Sequence, residues 1–194
     1  MILKVRLREE GTARGVEGVA RPAGNEDLLL WAQWRYREQD LDKGWRWKRI
    51  FEDCRRSRGR LECHCLVAAD QMQGLMVLNL RGKTLDVERG RGMVVDYLAA
   101  NPANRPSFGR QKGRLQGAGL GLLAVAIERS KACGMSGRLW LESLPDQNTR
   151  QFYENRGFVA TGKTTAKGNG IYNLASETSR ELLKTLKEKG VIER

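Results

Sequence analysis

Apolar residues recur along this chain in two rhythms, every second position and every third to fourth, and the changes between them mark out alternating strands and helices. Residues 61–68 and 74–80 are β-branched and apolar around a turn at Asp70-Gln71, which predicts a hairpin. Residues 92–100, Gly-Met-Val-Val-Asp-Tyr-Leu-Ala-Ala, form a further strand that Asn101-Pro102 closes. A helical pattern over 120–132 ends near Gly134, and 138–143 reads as another strand. Strand, helix and strand make a β-α-β unit, whose strands should be parallel neighbours joined by a right-handed crossover. Beyond it come a short helix over 146–155 stopped by Arg156-Gly157, a strand over 158–161, its return over 170–174, and an amphipathic helix over 176–189 with Leu182, Leu183 and Leu186 on its apolar face. Ahead of the hairpin, Asn25-Glu26-Asp27 is cap-like and leads into a helix over 28–36, with a second amphipathic helix over 45–56. Residues 1–23 are basic and give one strand, over 2–8. No internal repeat or low-complexity stretch interrupts this order.

The most informative segment lies inside the β-α-β unit. Residues 111–123 read Gln-Lys-Gly-Arg-Leu-Gln-Gly-Ala-Gly-Leu-Gly-Leu-Leu and run straight into the helix. Glycines 117, 119 and 121 remove side chains where a backbone would come close to a ligand, and the first-turn amides of a helix have no partner within it. A turn of this kind holds phosphate.

Length and composition narrow the setting. With 194 residues, 40% of them hydrophobic, the chain suits one compact domain over 1–194. No run approaches the roughly 18 apolar residues that cross a bilayer, and the first residues lack the apolar core of a signal peptide, so a cytoplasmic protein away from the membrane is expected. Cysteines 54, 63, 65 and 133 are too few and too irregular for a disulfide framework. The net charge of +12, from 35 Lys and Arg against 23 Asp and Glu, favours an acidic partner, whether nucleotide, nucleic acid or acidic protein. The excess gathers at 55–60, at 105–114 and around Lys184, Lys187 and Lys189; the first and last read as solvated surface, while the middle one adjoins the glycine turn.

The order and residues from about 61 to 174 resemble the GCN5-related N-acetyltransferases (GNAT). Arg114-Leu115-Gln116-Gly117-Ala118-Gly119 fits that family's phosphate motif. The stretch Val95 to Pro102 looks like its central strand, and Phe152-Tyr153-Glu154-Asn155-Arg156-Gly157-Phe158 like its tyrosine signature. The resemblance implies an α/β (α+β) fold with a mixed, mostly antiparallel sheet flanked by helices, parallel only at the pair that straddles the glycine turn and splayed there. It implies an acyl-CoA, most simply acetyl-CoA, as co-substrate, no metal, and transfer to an amine of a small molecule or protein. The pyrophosphate would rest on the amides of Leu115, Gln116, Gly117, Ala118, Gly119 and Leu120, with Arg114 beside them. The pantetheine arm would pair with main chain at Leu98, Ala99 and Ala100. Tyr153 matches the tyrosine that protonates the departing thiolate, the other reading being a core aromatic beside Phe152. An amine with a pKa of about 10 must lose a proton before it attacks, and Asp96 and Glu142 are the candidate bases. Asp96 should share a strand face with Leu98 and Ala100; as plain surface or cap carboxylates, both would have no such role.

Two departures from the family pattern stand out. Residues 106–113 are an insert between Arg105 and Arg114, placed to meet the acceptor or the cofactor's 3′-phosphate. The helix asparagine of the family falls at Asp146 here, while Asn148, the remaining candidate for a CoA contact, lies two residues later. Acceptor, acyl chain length and oligomeric state, a homodimer included, are left open. A second reading makes the chain an RNA-directed or non-catalytic module that uses its basic surface.

Three further signals carry less. Gly157 to Thr164 satisfies a P-loop pattern but follows a helix and precedes no helix. Cys63-His64-Cys65 suggests a metal, yet strand alternation sends His64 away from both cysteines. Tryptophans 31, 34, 45 and 47 suit either an acceptor wall or plain core.

Overall fold

The computed structural model describes residues 1–84, 90–105 and 114–193. The insert at 106–113 lies outside the described residues.

The chain opens with two antiparallel strands, β1 (Leu3–Glu9) and β2 (Gly15–Pro22). In β1 the alternation is strict, with Leu3, Val5 and Leu7 buried and Lys4, Arg6 and Arg8 exposed. Two helices follow, α1 (Asp27–Trp31) and α2 (Trp47–Arg56), then the hairpin of β3 (Leu61–Ala68) and β4 (Gln71–Lys83). Its turn is Ala69-Asp70, one residue earlier than expected, and both have the positive φ (50° and 55°) that two-residue hairpins need. Next come β5 (Gly92–Ala100), a 3₁₀ turn at Pro102–Asn104, the two-residue β6 (Leu115–Gln116) and the long helix α3 (Ala118–Ala132). β7 (Leu139–Ser143), α4 (Gln147–Glu154), β8 (Val159–Thr164), β9 (Gly170–Leu174), α5 (Ser176–Glu188) and β10 (Ile192–Glu193) complete the order.

Ten strands among the described residues form one sheet, in the order β10-β1-β2-β3-β4-β5-β7-β9-β8 with β6 paired to β1. Every neighbouring pair is antiparallel except β5 and β7, the expected parallel pair. The strands β2, β6 and β10 were not legible beforehand: β2 carries two glycines and a proline, and β6 and β10 are only two residues long.

The first helix differs most from expectation. It stops at Trp31 instead of running to residue 36, because later residues have stronger claims elsewhere. The Trp34 indole N–H donates to the Met72 carbonyl at 2.9 Å, and the Arg37 amide donates to Asp40 at 2.7 Å. Asp27 is fully buried, taking a bidentate pair from Arg21 and the Gly24 amide. Its carboxyl lies below the usual range, since those partners outweigh the burial that would raise it.

The sheet separates two cores. On one side α3 and α5 pack an aliphatic layer, with residues 122–127 of α3 wholly buried. Each large side chain buried there contributes about 1.5–3 kcal/mol. On the other side α1 and α2 cover an aromatic layer of Trp34, Trp47 and Phe51 over Cys63, Cys65, Leu75 and Val77. Among the described residues no helix is long and apolar enough to cross a membrane.

Candidate active site

The parallel pair comes apart where the sequence reading needs it to. β5 and β7 are paired from Met93↔Leu139 to Val95↔Leu141, after which β5 runs on to Ala100 without β7. On its other side β5 stays tied to β4 through Gly74↔Ala100. The tie contains a bulge: Leu78 pairs with Val95 and Val77 with Tyr97, so Asp96 is the extra residue.

That bulge overturns the expected side-chain alternation. Val95 and Leu98 belong to the aliphatic layer, but Tyr97 and Ala99 belong to the aromatic one. Asp96 goes with Tyr97 toward α2 and does not share a face with Leu98 and Ala100. The main chain follows its own alternation. Asn101 donates its amide to the Gln73 carbonyl at 2.9 Å, which turns the groups of Ala99 into the sheet and those of Leu98 and Ala100 to the open edge.

Arg105 closes the far end of this edge. Its guanidinium donates to the Ala100 carbonyl at 2.9 and 3.3 Å and forks onto Asp42 at 2.7 and 2.6 Å, with Asp40 at 3.1 Å. Burial disfavours its charge, but Asp42 and Asp40 outweigh that and hold its pKa above the ordinary value. Of the three residues expected along a pantetheine, Leu98 therefore has both polar groups at the edge, Ala100 has its carbonyl engaged, and Ala99 faces away.

The glycine turn also needs correction in detail. Arg114 is buried; it donates to Glu10 and, at 3.0 Å, to the Arg105 carbonyl. The Leu115 amide donates to Asn104 at 2.9 Å, and Leu115 and Gln116 are in the ladder with β1. The first bond of α3 is Gly121 N–H to Gly117 O at 2.9 Å, so the amides outside the helical ladder are those of residues 117–120, Gly117, Ala118, Gly119 and Leu120. The glycines serve different ends. Gly117 has φ of +108°, open to glycine and costly for other residues. A Cβ on Gly119 would lie 3.0 Å from the Phe152 ring, and one on Gly121 would lie 2.6 Å from Val5. Gly121 thus lets α3 pack closely on the sheet and has no need of a ligand.

Tyr153 sits in α4 and is 6% exposed, edge-on to Phe152 at 5.1 Å and to Phe158 at 5.4 Å. Burial pushes its phenol well above the usual value. Asp146 is the N-cap of α4, accepting from the Thr149 amide and hydroxyl at 2.8 Å each, which accounts for an aspartate at that position. Asn148, the second residue of the same helix, is exposed.

On the α2 side the splay opens into a cleft of about 350 Å³ walled by Ile50 and Asp53 of α2, Val77 and Lys83 of β4, Asp96 and Tyr97 of β5, and Glu142 of β7. Three carboxylates face one lysine in a chain of net charge +12. Asp96 is reached by solvent at the cleft mouth, yet desolvation by the walls and the charge of Glu142 raise its pKa against Lys83, Asn79 and Arg60. Tyr97 is raised for the same leading reason, with Asp96 and Asp53 adding to it. Trp45 meets Tyr97 edge-on at 5.0 Å. The tryptophans therefore divide: Trp34 and Trp47 are core, and Trp45 backs the cleft. Asp53 and Lys83 carried no motif; only helix packing and strand pairing bring them to the cleft.

The weaker signals resolve by geometry. Residues 159–164 of the P-loop pattern are the edge strand β8. Cys63 and Cys65 point into the aromatic layer, and burial raises both thiols, Cys65 to about 12. His64 points the opposite way, with its Nε2 3.1 Å from Glu62, which also takes both arms of Arg129 at 2.9 and 2.6 Å. Among the described residues no three His, Cys, Asp or Glu gather as metal ligands would.

A ten-strand sheet with one splayed parallel pair, and a glycine-led helix at the splay, defines the class: the chain has the fold of the GCN5-related N-acetyltransferases. Its solved likenesses include RimJ of Mycobacterium smegmatis in complex with CoA-disulfide, at TM-score 0.61 and 14% identity over 98% of this chain and 96% of that one. A protein of Desulfovibrio desulfuricans described as a GNAT-family acetyltransferase matches at TM-score 0.55 and 20% identity over 82% and 99%. A tyrosine-to-phenylalanine variant of the toxin AtaT, bound to the C-terminus of the antitoxin AtaR and acetyl-CoA, matches at 0.52 and 17% over 85% and 97%. No protein-family model matches the chain, and no curated protein does.

Proposed function

We propose that the chain is an acyl-CoA-dependent N-acyltransferase, working as one cytoplasmic domain that moves acetyl from acetyl-CoA to a primary amine by direct attack. The observation that carries this reading is the open edge of β5, which runs from the amide-bearing mouth of α3 to a carboxylate-lined cleft. The residues present fit the co-substrate. Amides at 117–120 and the positive end of a fifteen-residue helix suit a diphosphate. Leu98 offers an amide and a carbonyl to an amide-rich arm as a further strand would. Two structures of like fold hold CoA or acetyl-CoA.

The chemistry then divides among named groups. Asp96, its basicity raised by the cleft, takes a proton from the ammonium directly or through one water, and the Glu142 charge keeps it basic. The neutral nitrogen attacks the thioester carbonyl; a C–N bond forms, the C–S bond breaks, and charge passes to the sulfur. An edge amide of β5 stabilises the oxygen as it becomes negative. Tyr153 donates to the departing sulfur, and the second proton, which the nitrogen sheds as it becomes an amide, passes through water to restore the phenol. Because burial makes its phenol a weaker acid, it acts first as a hydrogen-bond donor, and proton transfer follows only as the sulfur becomes basic in the same dry surroundings. All four cysteines are free, which fits a reducing compartment.

Calorimetric titration with acetyl-CoA, followed by thiol release with a panel of amines, tests the reading. Gly119→Glu should weaken acetyl-CoA binding by about tenfold or more by setting a negative charge against the phosphates. Gly119→Ala, which also presses on Phe152 but adds no charge, separates that effect from displacement of the ring. Equal affinity for acetyl-CoA in wild type and Gly119→Glu would overturn the assignment.

A further inference from the structure

The donor arm that the transfer reading lays along β5 has a fixed end. The edge is open from Ala100 to Leu98, and the ladder with β7 closes it at Val95↔Leu141. Hydrogen-bonded strands lie about 4.7–4.9 Å apart, which leaves no passage between them. Whatever the thioester carries must therefore leave the plane of the sheet on one face or the other. The face toward α3 is filled: Val95 and Leu98 lie in the aliphatic layer, and residues 122–127 of α3 are wholly buried against it. An interior packed to native density takes no further chain. The face toward α2 opens into the cleft of about 350 Å³, so the acyl group turns to that side.

Two features bound the space it meets there. Tyr97 stands at the point of entry, two residues past the last paired position of β5 and directly across from Val77, and it lines the cleft. It is half-buried, whereas Trp47 behind it is fully buried. Trp45 meets the tyrosine ring edge-on at 5.0 Å and Trp47 at 6.0 Å, and the two indoles lie 5.9 Å from each other. A ring held between two others cannot swing aside as a lone side chain on a strand would. The rest of the cleft offers a hydrocarbon no better course. It runs past Asp53, Asp96 and Glu142 toward Lys83, which pairs with Gly92 at the far end of β5. An apolar chain laid there would strip water from three carboxylates and return no hydrogen bond, while an ammonium entering by the same way pairs with them.

From this arrangement we infer that Tyr97, clamped by Trp45 and Trp47, sets the acyl specificity of the transfer: it stops the acyl chain at the splay, so that acetyl and propionyl groups are accepted and longer or acid-ended ones are rejected. The inference rests on the transfer reading above and names the acyl class of its donor. The chemistry of transfer is unchanged, with the amine nitrogen taking the acyl group and CoA leaving as the thiol. Tyr97 acts by the size and fixity of its ring, not by its hydroxyl. One methylene too many in a close-fitting pocket is worth about 10–200-fold in discrimination. An acyl group that ends in a carboxylate meets the repulsion of Asp53, Asp96 and Glu142 as well.

The test is calorimetric titration of the full chain with CoA and with acetyl-, propionyl-, butyryl-, hexanoyl- and succinyl-CoA, so no acceptor is required. Wild type should bind acetyl- and propionyl-CoA within about threefold of each other, and hexanoyl- and succinyl-CoA about tenfold or more weakly than either. Tyr97→Ala should bring hexanoyl-CoA within about threefold of acetyl-CoA, with CoA itself bound as in wild type and succinyl-CoA still weak, because the carboxylates remain. Tyr97→Phe keeps the ring and should keep the wild-type order. Where Tyr97→Ala does not fold, Tyr97→Val, β-branched and suited to a strand, carries the same expectation for butyryl-CoA. Hexanoyl- or succinyl-CoA bound by wild type as tightly as acetyl-CoA, a wild-type order of affinities in Tyr97→Ala or Tyr97→Val, or a relaxed order in Tyr97→Phe would each overturn the inference. Wild type that binds neither CoA nor any thioester fails the transfer reading itself, whereas CoA bound without discrimination by chain length fails only the stop at Tyr97.

Discussion

The two ends of the open edge of β5 are built from different materials. At the α3 end the site is main chain: a glycine with positive φ, four amides outside the helical ladder, and close packing behind them. At the cleft end it is side chain: carboxylates from α2, β5 and β7, a lysine from β4 and an aromatic wall. A main-chain site is specified by where the chain must turn and how near it must pass, so glycine spacing encodes it. A side-chain site depends on which distant residues the fold brings together, and Arg105 ties down the last residue of the edge, joining Ala100 to Asp40 and Asp42.

The sharpest way to break that comparison is to cut the tie. Arg105→Ala leaves Asp42 buried without its cation and Asp40 with Arg37 alone, and stability should fall by about 3–5 kcal/mol in urea unfolding. Arg49→Ala, at an exposed arginine of α2 that makes no ion pair among the described residues, should change it by less than about 0.5 kcal/mol. Similar small losses in both would mean that paired and unpaired arginines are not the distinct populations their contacts describe.

Next in size is Tyr153→Phe. The ring keeps its contacts with Phe152 and Phe158, so unfolding and acetyl-CoA affinity should stay near wild type, while turnover should fall by about a hundredfold, the range of a lost acid. Full turnover in that variant would leave Tyr153 as a core aromatic.

The same division explains what could be read from the sequence. The hairpin of β3 and β4, the parallel pair, the glycine turn and the tyrosine helix rest on local signals, namely β-branched runs, Gly117, and the spacing of Phe152 to Phe158. The early end of α1 did not, because the anchors of Trp34 and Arg37 lie at Met72 and Asp40. Asp96 was named, but its direction was misjudged: a single inserted residue opposite Val77 and Leu78 reverses the alternation, and β-bulges leave no composition signal. Arg114 was placed on the phosphate by motif, whereas Glu10, over a hundred residues earlier, holds its guanidinium.

Gly121 tests whether the α3 end depends on packing as well as on free amides. A side chain there meets Val5 and Leu66, so Gly121→Val should lower stability by about 1–3 kcal/mol, with acetyl-CoA affinity falling only as far as the folded fraction does. Affinity lost while the thermal midpoint is unchanged would return Gly121 to the ligand-facing role its spacing suggested.

The smallest effect separates the two sides of the sheet by pH. Toward α3, Glu62 is drawn from 4.5 to about 2 by His64 first and by Arg129, against the opposing effect of burial. A carboxyl lowered in the folded chain adds stability that is complete above its unfolded value near 4.5 and lost as pH falls toward about 2. Toward α2, Asp96 is raised above 3.8, chiefly by desolvation, so its protonated form favours the folded chain and its stability share is lost as pH rises. Glu62→Gln should therefore cost on the order of 1 kcal/mol at pH 7 and converge on wild type near pH 2. Asp96→Asn should change in the other direction, gaining on wild type at neutral pH and losing that gain in acid. Urea midpoints for the three proteins between pH 2 and 7 measure both trends. Parallel curves would mean that the two carboxylates feel the same surroundings, and the contrast between the packed side and the open cleft would fail where it is most exposed to measurement.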